Sequence, residues 1–262
     1  MAWFDKPTLI RNIKKDTYYV FGDESGDIKG LKSTIKKYAS GDSIKERDAT
    51  FTFTSVFISP KCLESLYASF QKIKQQYLHT VLPFHAAEIE RRSGIYSSIN
   101  LSDSDYQNFI ISLDEEVRAC KFIVQVTSFN KWEYVCKNNI ADTEMASKII
   151  CMIYKNHFKR VEKMLVNLNK EAILVLEESS NPKMDKLILQ EFVKLRKRKT
   201  INNIKSLYFT NKKAAMYPAG TELADIVSQS MFHIFSHPKC LTSLRKVYSK
   251  EKRSNLDLVE FK

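Results

Sequence analysis

YVFGDESGD, residues 19–27, is an apolar run that ends abruptly in two acids and a Ser-Gly turn. Tyr18 to Phe21 are aromatic and β-branched, the composition of a buried strand. Asp23 and Glu24 therefore stand at the carboxyl end of a core strand, where open α/β sheets bind their ligands. An acid desolvated there needs a cation to receive it, and a divalent metal is the obvious candidate. Asp, Ser and Gly are also turn formers, so a plain polar turn is the competing reading.

Outward from that strand, strand-like and helix-like segments alternate. Residues 29–48 are polar and Lys-rich and read as a loop or a mobile excursion. TFTFTSVFI, residues 50–58, alternates hydroxyl and apolar side chains at period two, which predicts a strand. Ser59-Pro60 supplies a helix cap and a first-turn proline, and Leu63, Leu66, Tyr67, Phe70, Ile73 and Tyr77 follow at helical spacing. A second helix opens near Ser102-Asp103, and Phe122 to Phe129 reads as a strand. A long helix is expected from about Asp142 to Leu165. AILVL, residues 172–176, is another buried strand, followed by a helix from Pro182 to about Lys197. Ile204 to Phe209 reads as a strand and Thr221 to Phe235 as a final apolar helix. No internal repeat or composition break divides the 262 residues, so one α/β domain with a mixed central sheet flanked by helices is expected over 1–262.

Composition narrows the partners. The chain carries 42 basic against 30 acidic residues, a formal net charge of +12. That surplus favours a polyanion, nucleic acid before an anionic membrane surface. Five scattered cysteines without a Cys-x-x-Cys pair read as reduced thiols. MAWFDKPTLIRNIKK lacks the apolar core of a signal peptide, and no stretch approaches the roughly 20 apolar residues of a membrane span. A cytoplasmic protein without membrane association is expected.

Three further acidic sites accompany the first. FHAAEI sets His85 and Glu88 at i and i+3, on one side of a helix if the segment is helical, or merely in a surface capping segment. AILVLEESS repeats the opening grammar, delivering Glu177 and Glu178 to a strand end. Side chains alternate along a strand, so one acid of each pair can face a common site. Asp23 and Glu177 are the choices, with Glu24 and Glu178 supporting them or forming turns. In GTELADIVSQSMFHIF, residues 220–235, Asp225 lies among Leu223, Ile226, Val227, Met231, Ile234 and Phe235. Burying it unpaired costs several kcal/mol, so a compensating group is required. Glu222, Asp225 and Gln229 share a face, and the compensator is a metal or a lysine.

Two patterns carry less. His233 and His237 at i, i+4 with Cys240 nearby have a spacing zinc uses, without the Glu or second Cys that usually completes such a site. KLRKRK, comprising Lys194, Arg196, Lys197, Arg198 and Lys199 around Leu195, reads equally as a nucleic-acid patch or as the solvated cations common at helix ends. Glycine-rich phosphate loops, a Gly-x-Ser-x-Gly elbow and a dinucleotide fingerprint are absent from the sequence.

Taken in order, FGDESGD, FHAAEI, LVLEESS and TELADIVS resemble the family known as domain of unknown function 3800. The resemblance spans about Tyr18 to Phe235. This chain has Thr-Glu-Leu-Ala-Asp where that family often shows Leu-Gln-Leu-Ala-Asp, and Glu-Glu-Ser where Glu-Ser-Arg is common. The resemblance implies an RNase H-like fold with the acids as divalent-metal ligands. The expectation is a metal-dependent nuclease for DNA or RNA, with Asp23, Glu177 and Asp225 holding Mg²⁺ or Mn²⁺. Glu88 and His85 stand at the edge, Glu24, Glu178 and Glu222 in support, and the basic run on the strand. The alternative is a non-catalytic module on the same scaffold that binds nucleic acid or protein.

Overall fold

The computed structural model describes residues 17–28, 30–179, 181–210, 219–236 and 256–261. Its strands are β1 (Thr17–Ser25), β2 (Thr50–Ile58), β3 (Phe122–Asn130), β4 (Glu171–Glu177), β5 (Ile204–Thr210) and β6 (Leu256–Phe261). They form one mixed sheet in the order β5-β4-β1-β2-β3-β6. β1, β2 and β3 are an antiparallel meander. β4 lies parallel on the free side of β1, β5 lies parallel to β4, and β6 lies parallel to β3. The α/β class and the mixed sheet flanked by helices are thus those expected. No helix among the described residues is long and apolar enough to cross a membrane.

Helices cover both faces. On one side α3 (Pro60–Ile73), α4 (Ala86–Arg91), α5 (Asp103–Ala119) and α9 (Ala219–Ser236) enclose a core that includes Tyr19, Phe21, Val56, Ile58 and Val175. On the other, α1 (Leu31–Ala39), α6 (Lys131–Lys137), α7 (Met145–Leu168) and α8 (Pro182–Lys197) enclose a core with Val20, Phe51, Phe53, Phe57, Leu174 and Leu176. A short α2 (Glu46–Ala49) precedes β2.

The helix starts follow local chemistry. Ser59 caps α3 by accepting from the Cys62 N–H at 3.3 Å, with Pro60 in the first turn. Ser102 caps α5 and Asn181 caps α8. The long helix begins at Met145, not near Asp142, because Asp142 instead accepts the Glu144 N–H at 2.9 Å in the turn before it.

One expectation needs correction. Residues 29–48, read as a loop or a mobile excursion, contain α1 and α2. Leu31, Thr34 and Ile35 recur at helical spacing and are buried, whereas Lys32, Lys36 and Lys37 occupy the exposed face and mask the pattern. The strand expected at 50–58 is β2, and its alternation separates two cores, since all nine positions are buried. Its Phe side chains enter one core, and Thr52 and Thr54 lie on the opposite face with Val56 and Ile58, the face α9 covers.

Hydroxyls buried in this sheet meet other polar groups where a partner is in reach. His157 of α7 is fully buried, with Nε2 2.7 Å from Ser55 Oγ of β2 and Nδ1 2.9 Å from Thr127 Oγ1 of β3. Its ring packs on Phe53, centroid to centroid 4.1 Å. Burial holds its pKa well below the ordinary 6.5, and the Arg160 cation adds to the shift. In the folded state the imidazole stays neutral where the unfolded chain would protonate, so stability falls as pH drops below about 6.5. In denaturation melts from pH 7 to pH 5, His157→Gln is expected to lose less stability than the wild type. An equal loss in both would remove His157 as the cause.

Candidate carboxylate site at the strand ends

Alternation along the strands decides which acids share a face. In β1, Tyr19 and Phe21 enter the core under α9, and Val20 enters the opposite one. Asp23 continues the Tyr19–Phe21 face, and it pairs in register with Thr54 of β2, which lies on that same face. Glu24 continues the Val20 face. In β4, Val175 is in the core under α9 and Leu174 and Leu176 are opposite, which sets Glu177 on the α9 face and Glu178 on the other. The parallel register ends at Gly22 with Leu176, one residue short of each acid. Asp23 and Glu177 are thus neighbours across adjacent parallel strands, both half-buried.

α9 runs along β1 in the same direction. Gly220 lies against Phe21, so close that a Cβ on it would fall 2.1 Å from the ring. Farther along, Ser228 Oγ donates to Ser25 Oγ at 3.1 Å and to the Asp23 carbonyl at 3.4 Å. Beyond it, the Phe232 ring packs on Gly26. A helix advances about 1.5 Å per residue and a strand about 3.3 Å. The five residues from Gly220 to Asp225 therefore match about two residues of β1, which brings Asp225 level with Asp23. Gly26 ends the strand with φ +86, and a Cβ there would fall 2.4 Å from the Thr50 carbonyl oxygen. Glycine is what this turn admits.

The polar face of α9 is held at four levels. Glu222, almost fully buried, accepts from Lys74 Nζ at 2.7 Å. Lys74 opens a π-helical turn (Lys74–Leu78) that continues α3, and its ammonium also lies 4.8 Å over the Phe84 ring. One turn on, Asp225 Oδ2 accepts the Ala86 N–H at 2.8 Å. Ala86 is the first residue of α4, and His85 at that helix's N-cap position makes no side-chain capping bond, so Asp225 serves as the cap from another helix. Glu90 of α4 then receives Gln229 at 2.9 Å and sits 2.7 Å from His233 Nε2.

Electrostatics groups the same acids. Burial raises the phenol pKa of Tyr96, and the charges of Glu222, Glu88 and Asp225 raise it further. Burial likewise pushes Glu222 up to about 7, against the lowering by Lys74. His85 and Glu88 stand at the rim, their side chains 44% and 49% exposed and 3.9 Å apart.

The sequence-selected residues fall into separate groups. Asp23 and Glu177 end adjacent strands on the face that α9 covers and Asp225 lies level with Asp23, Glu88 and His85 lie at the surface margin, and Glu222 is engaged by a lysine. These carboxylates are donors of the kind a hard divalent cation takes. Among the described residues, no group of three His, Cys, Asp or Glu side chains converges closely enough to hold a metal ion. Lys194, Arg196, Lys197, Arg198 and Lys199 lie elsewhere. α8 leaves the carboxyl end of β4 and runs about 24 Å to the amino end of β5. There Arg196 Nη1 donates to the carbonyls of Asn202 at 3.0 Å and Ile204 at 3.1 Å. Lys194 reaches Glu191 at 3.5 Å, and Lys197, Arg198 and Lys199 are exposed. His237 and Cys240 lie outside the described residues, and His233 is bound to Glu90. The four described cysteines are free thiols.

Sequence reasoning missed Lys74, Glu90 and Tyr96. Lys74 had a readable signal, since it falls four residues after Phe70 on the apolar stripe of its helix.

The Lys74–Glu222 pair generates a pH test. Glu222 has its folded pKa raised above 4.5, so its protonation supports the fold below that value and the support is lost as pH rises through about 7. Replacing Lys74 by Met removes the cation that opposes the shift. Lys74→Met is expected to cost about 3–5 kcal/mol at pH 8, the penalty for breaking a buried pair. The deficit should shrink markedly at pH 5, read as the difference in denaturation midpoint from wild type. A deficit independent of pH would mean that Glu222 is not the group left uncompensated.

No protein-family model, no curated protein and no solved structure matches the chain.

Proposed function

We propose that this chain is a metal-dependent nuclease on an RNase H-like scaffold, hydrolysing phosphodiester bonds of DNA or RNA with Mg²⁺ or Mn²⁺. One observation carries the reading: Asp23 and Glu177 end neighbouring parallel strands on the face that α9 covers, with Asp225 of α9 level with Asp23. The mixed sheet flanked by helices supports the scaffold, and the four-motif resemblance supports the chemistry. Asp23 would hold the ions between its neighbours, Glu177 from the adjacent strand and Asp225 from above. Bound there, the ions would activate water and stabilise the leaving oxygen. Glu24, facing away, would brace the end of β1. Gly26, exposed just after β1, puts the turn that follows these acids at the surface. A formal charge of +12 draws a polyanion toward these acids despite their own charge.

A second reading, a non-catalytic binding module, gains from one observation. Asp225 already accepts the Ala86 N–H, so its presence in an apolar helix has a structural reason.

The two readings part in a cleavage assay on single- and double-stranded DNA and RNA with Mg²⁺ or Mn²⁺. Asp23→Asn and Asp225→Asn keep an oxygen acceptor and remove the charge. Each is expected to lower cleavage by at least about 100-fold, the upper end of what removing a metal ligand's own supporting partner costs. Each should also weaken Mn²⁺ binding measured by calorimetry. Wild-type protein that binds nucleic acid but cleaves no form with either metal would leave the module reading standing alone.

A further inference from the structure

The far side of the Asp-Glu-Ser-Gly turn opens on a cleft of about 630 Å³. Gly26, three residues after Asp23, and the Phe232 ring packed on it line one side. Four cations line it, each from a different element: Lys37 from α1, Lys45 from the approach to α2, Arg91 from α4 and Lys131 from the first turn of α6. Asp27 and Asp48 also line it, leaving two more cations than carboxylates among the described lining residues. The volume lies within the roughly 300–1,000 Å³ of small-ligand pockets, enough for one nucleotide unit.

Lys131 is the unusual member. It is 1% exposed, yet its ammonium donates to one described acceptor, the Asp27 carbonyl oxygen at 2.6 Å. An ammonium has three donor hydrogens and no acceptor. Burial lowers its pKa, while the charges of Asp27 and Asp48 act in the opposite direction. Burying a cation is costly unless acceptors receive it, and an anion in the cleft would supply the missing ones. Lys37, Lys45 and Arg91 are exposed around it and meet an incoming anion first.

We infer that this cleft is a phosphate-binding subsite for the nucleotide unit adjacent to the one at Asp23 and Glu177, anchored by Lys131 and rimmed by Lys37, Lys45 and Arg91. That it serves a substrate rests on the nuclease reading; phosphate recognition itself does not. Phe232 offers the sugar or base an apolar wall. Gly26 and Asp27, which follow Asp23 by three and four residues, line the cleft, so a strand held here would lie beside the end of β1.

The test uses the full chain in EDTA, so that binding is read without cleavage. The probe is a fluorescein-labelled single-stranded oligonucleotide, followed by anisotropy over a range of salt. Lys131→Met and the double variant Lys37→Ala/Arg91→Ala are each expected to weaken binding about tenfold or more, the scale of a hydrogen bond to a charged group. The slope of log affinity against log salt should fall by about 0.7 for each phosphate that is no longer neutralised. Lys61→Ala/Lys121→Ala, exposed at the opposite end of the sheet and outside the cleft, should bind as wild type. Displacement by millimolar inorganic phosphate, beyond that by chloride of equal ionic strength, identifies a discrete phosphate pocket. Displacement only by nucleic acid identifies a groove for the strand backbone, and either source fits the inference. Circular dichroism checks the fold of Lys131→Met, and the exposed double variant decides alone if that protein is unfolded. The inference is overturned if the wild type binds no oligonucleotide, or if the cleft variants bind as wild type. Tight cleft-dependent binding without metal-dependent cleavage would sink the nuclease reading and leave the subsite intact. Cleavage with an unchanged KM in the cleft variants would sink the subsite alone.

Discussion

The contact between Gly220 and the ring of Phe21 sets the height of everything above it. With no side chain at Gly220, α9 settles directly on β1, and the rise per residue of helix and strand then fixes which groups meet. Ser228 reaches the end of β1, Phe232 closes on Gly26, and Asp225 comes level with Asp23. Small residues at Gly220, Ala224 and Ser228 also explain why Thr52 and Thr54 of β2 are buried instead of wet. The Lys74–Glu222 pair adds little net stability once desolvation is counted. What it does show is a tie between α9 and the end of α3, at 2.7 Å and out of solvent.

Much of this was legible. The strand at 50–58, the caps at Ser59 and Ser102, and α8 from Pro182 to Lys197 follow from spacing and cap chemistry. Choosing Asp23 over Glu24 and Glu177 over Glu178 needed only alternation, and the two cores divide the strand residues in that way. What stayed hidden has two causes: exposed lysines that mask a short apolar pattern, and charged or polar residues whose partners are remote in sequence. The lysines of α1 concealed two apolar positions. Lys74 and Glu222 are 148 residues apart, and Lys131 finds its acceptor 104 residues away at Asp27. Asp225 reads as an acid in need of a cation, yet one of its oxygens meets the unsatisfied N–H of another helix, a need that only tertiary structure reveals.

The sheet divides its charge between two ends. The carboxyl ends of β1 and β4 carry acids, and the turn after β1 borders a cleft lined by lysines and an arginine. The amino end of β5 carries the basic run, where Arg196 bridges backbone carbonyls. The cationic motif and the cations of the cleft thus stand at opposite ends of the sheet. Arg196 is tied to the turn it closes, whereas Lys37 and Lys45 come from a segment whose sequence looks featureless.

The bond between Ser25 and Ser228 joins residues 203 apart in the chain. Closing so long a loop costs entropy that grows with the logarithm of its length, and contacts of this range slow folding. The meander of β1, β2 and β3 closes over shorter separations, but the face that α9 covers is finished only when a helix far downstream in the chain arrives. During synthesis the end of β1, with its acids and its exposed apolar neighbours, waits bare longer than any other part of the sheet's core. The order of assembly therefore runs from scaffold to site, and α9 sets Asp225 level with Asp23 among the last steps.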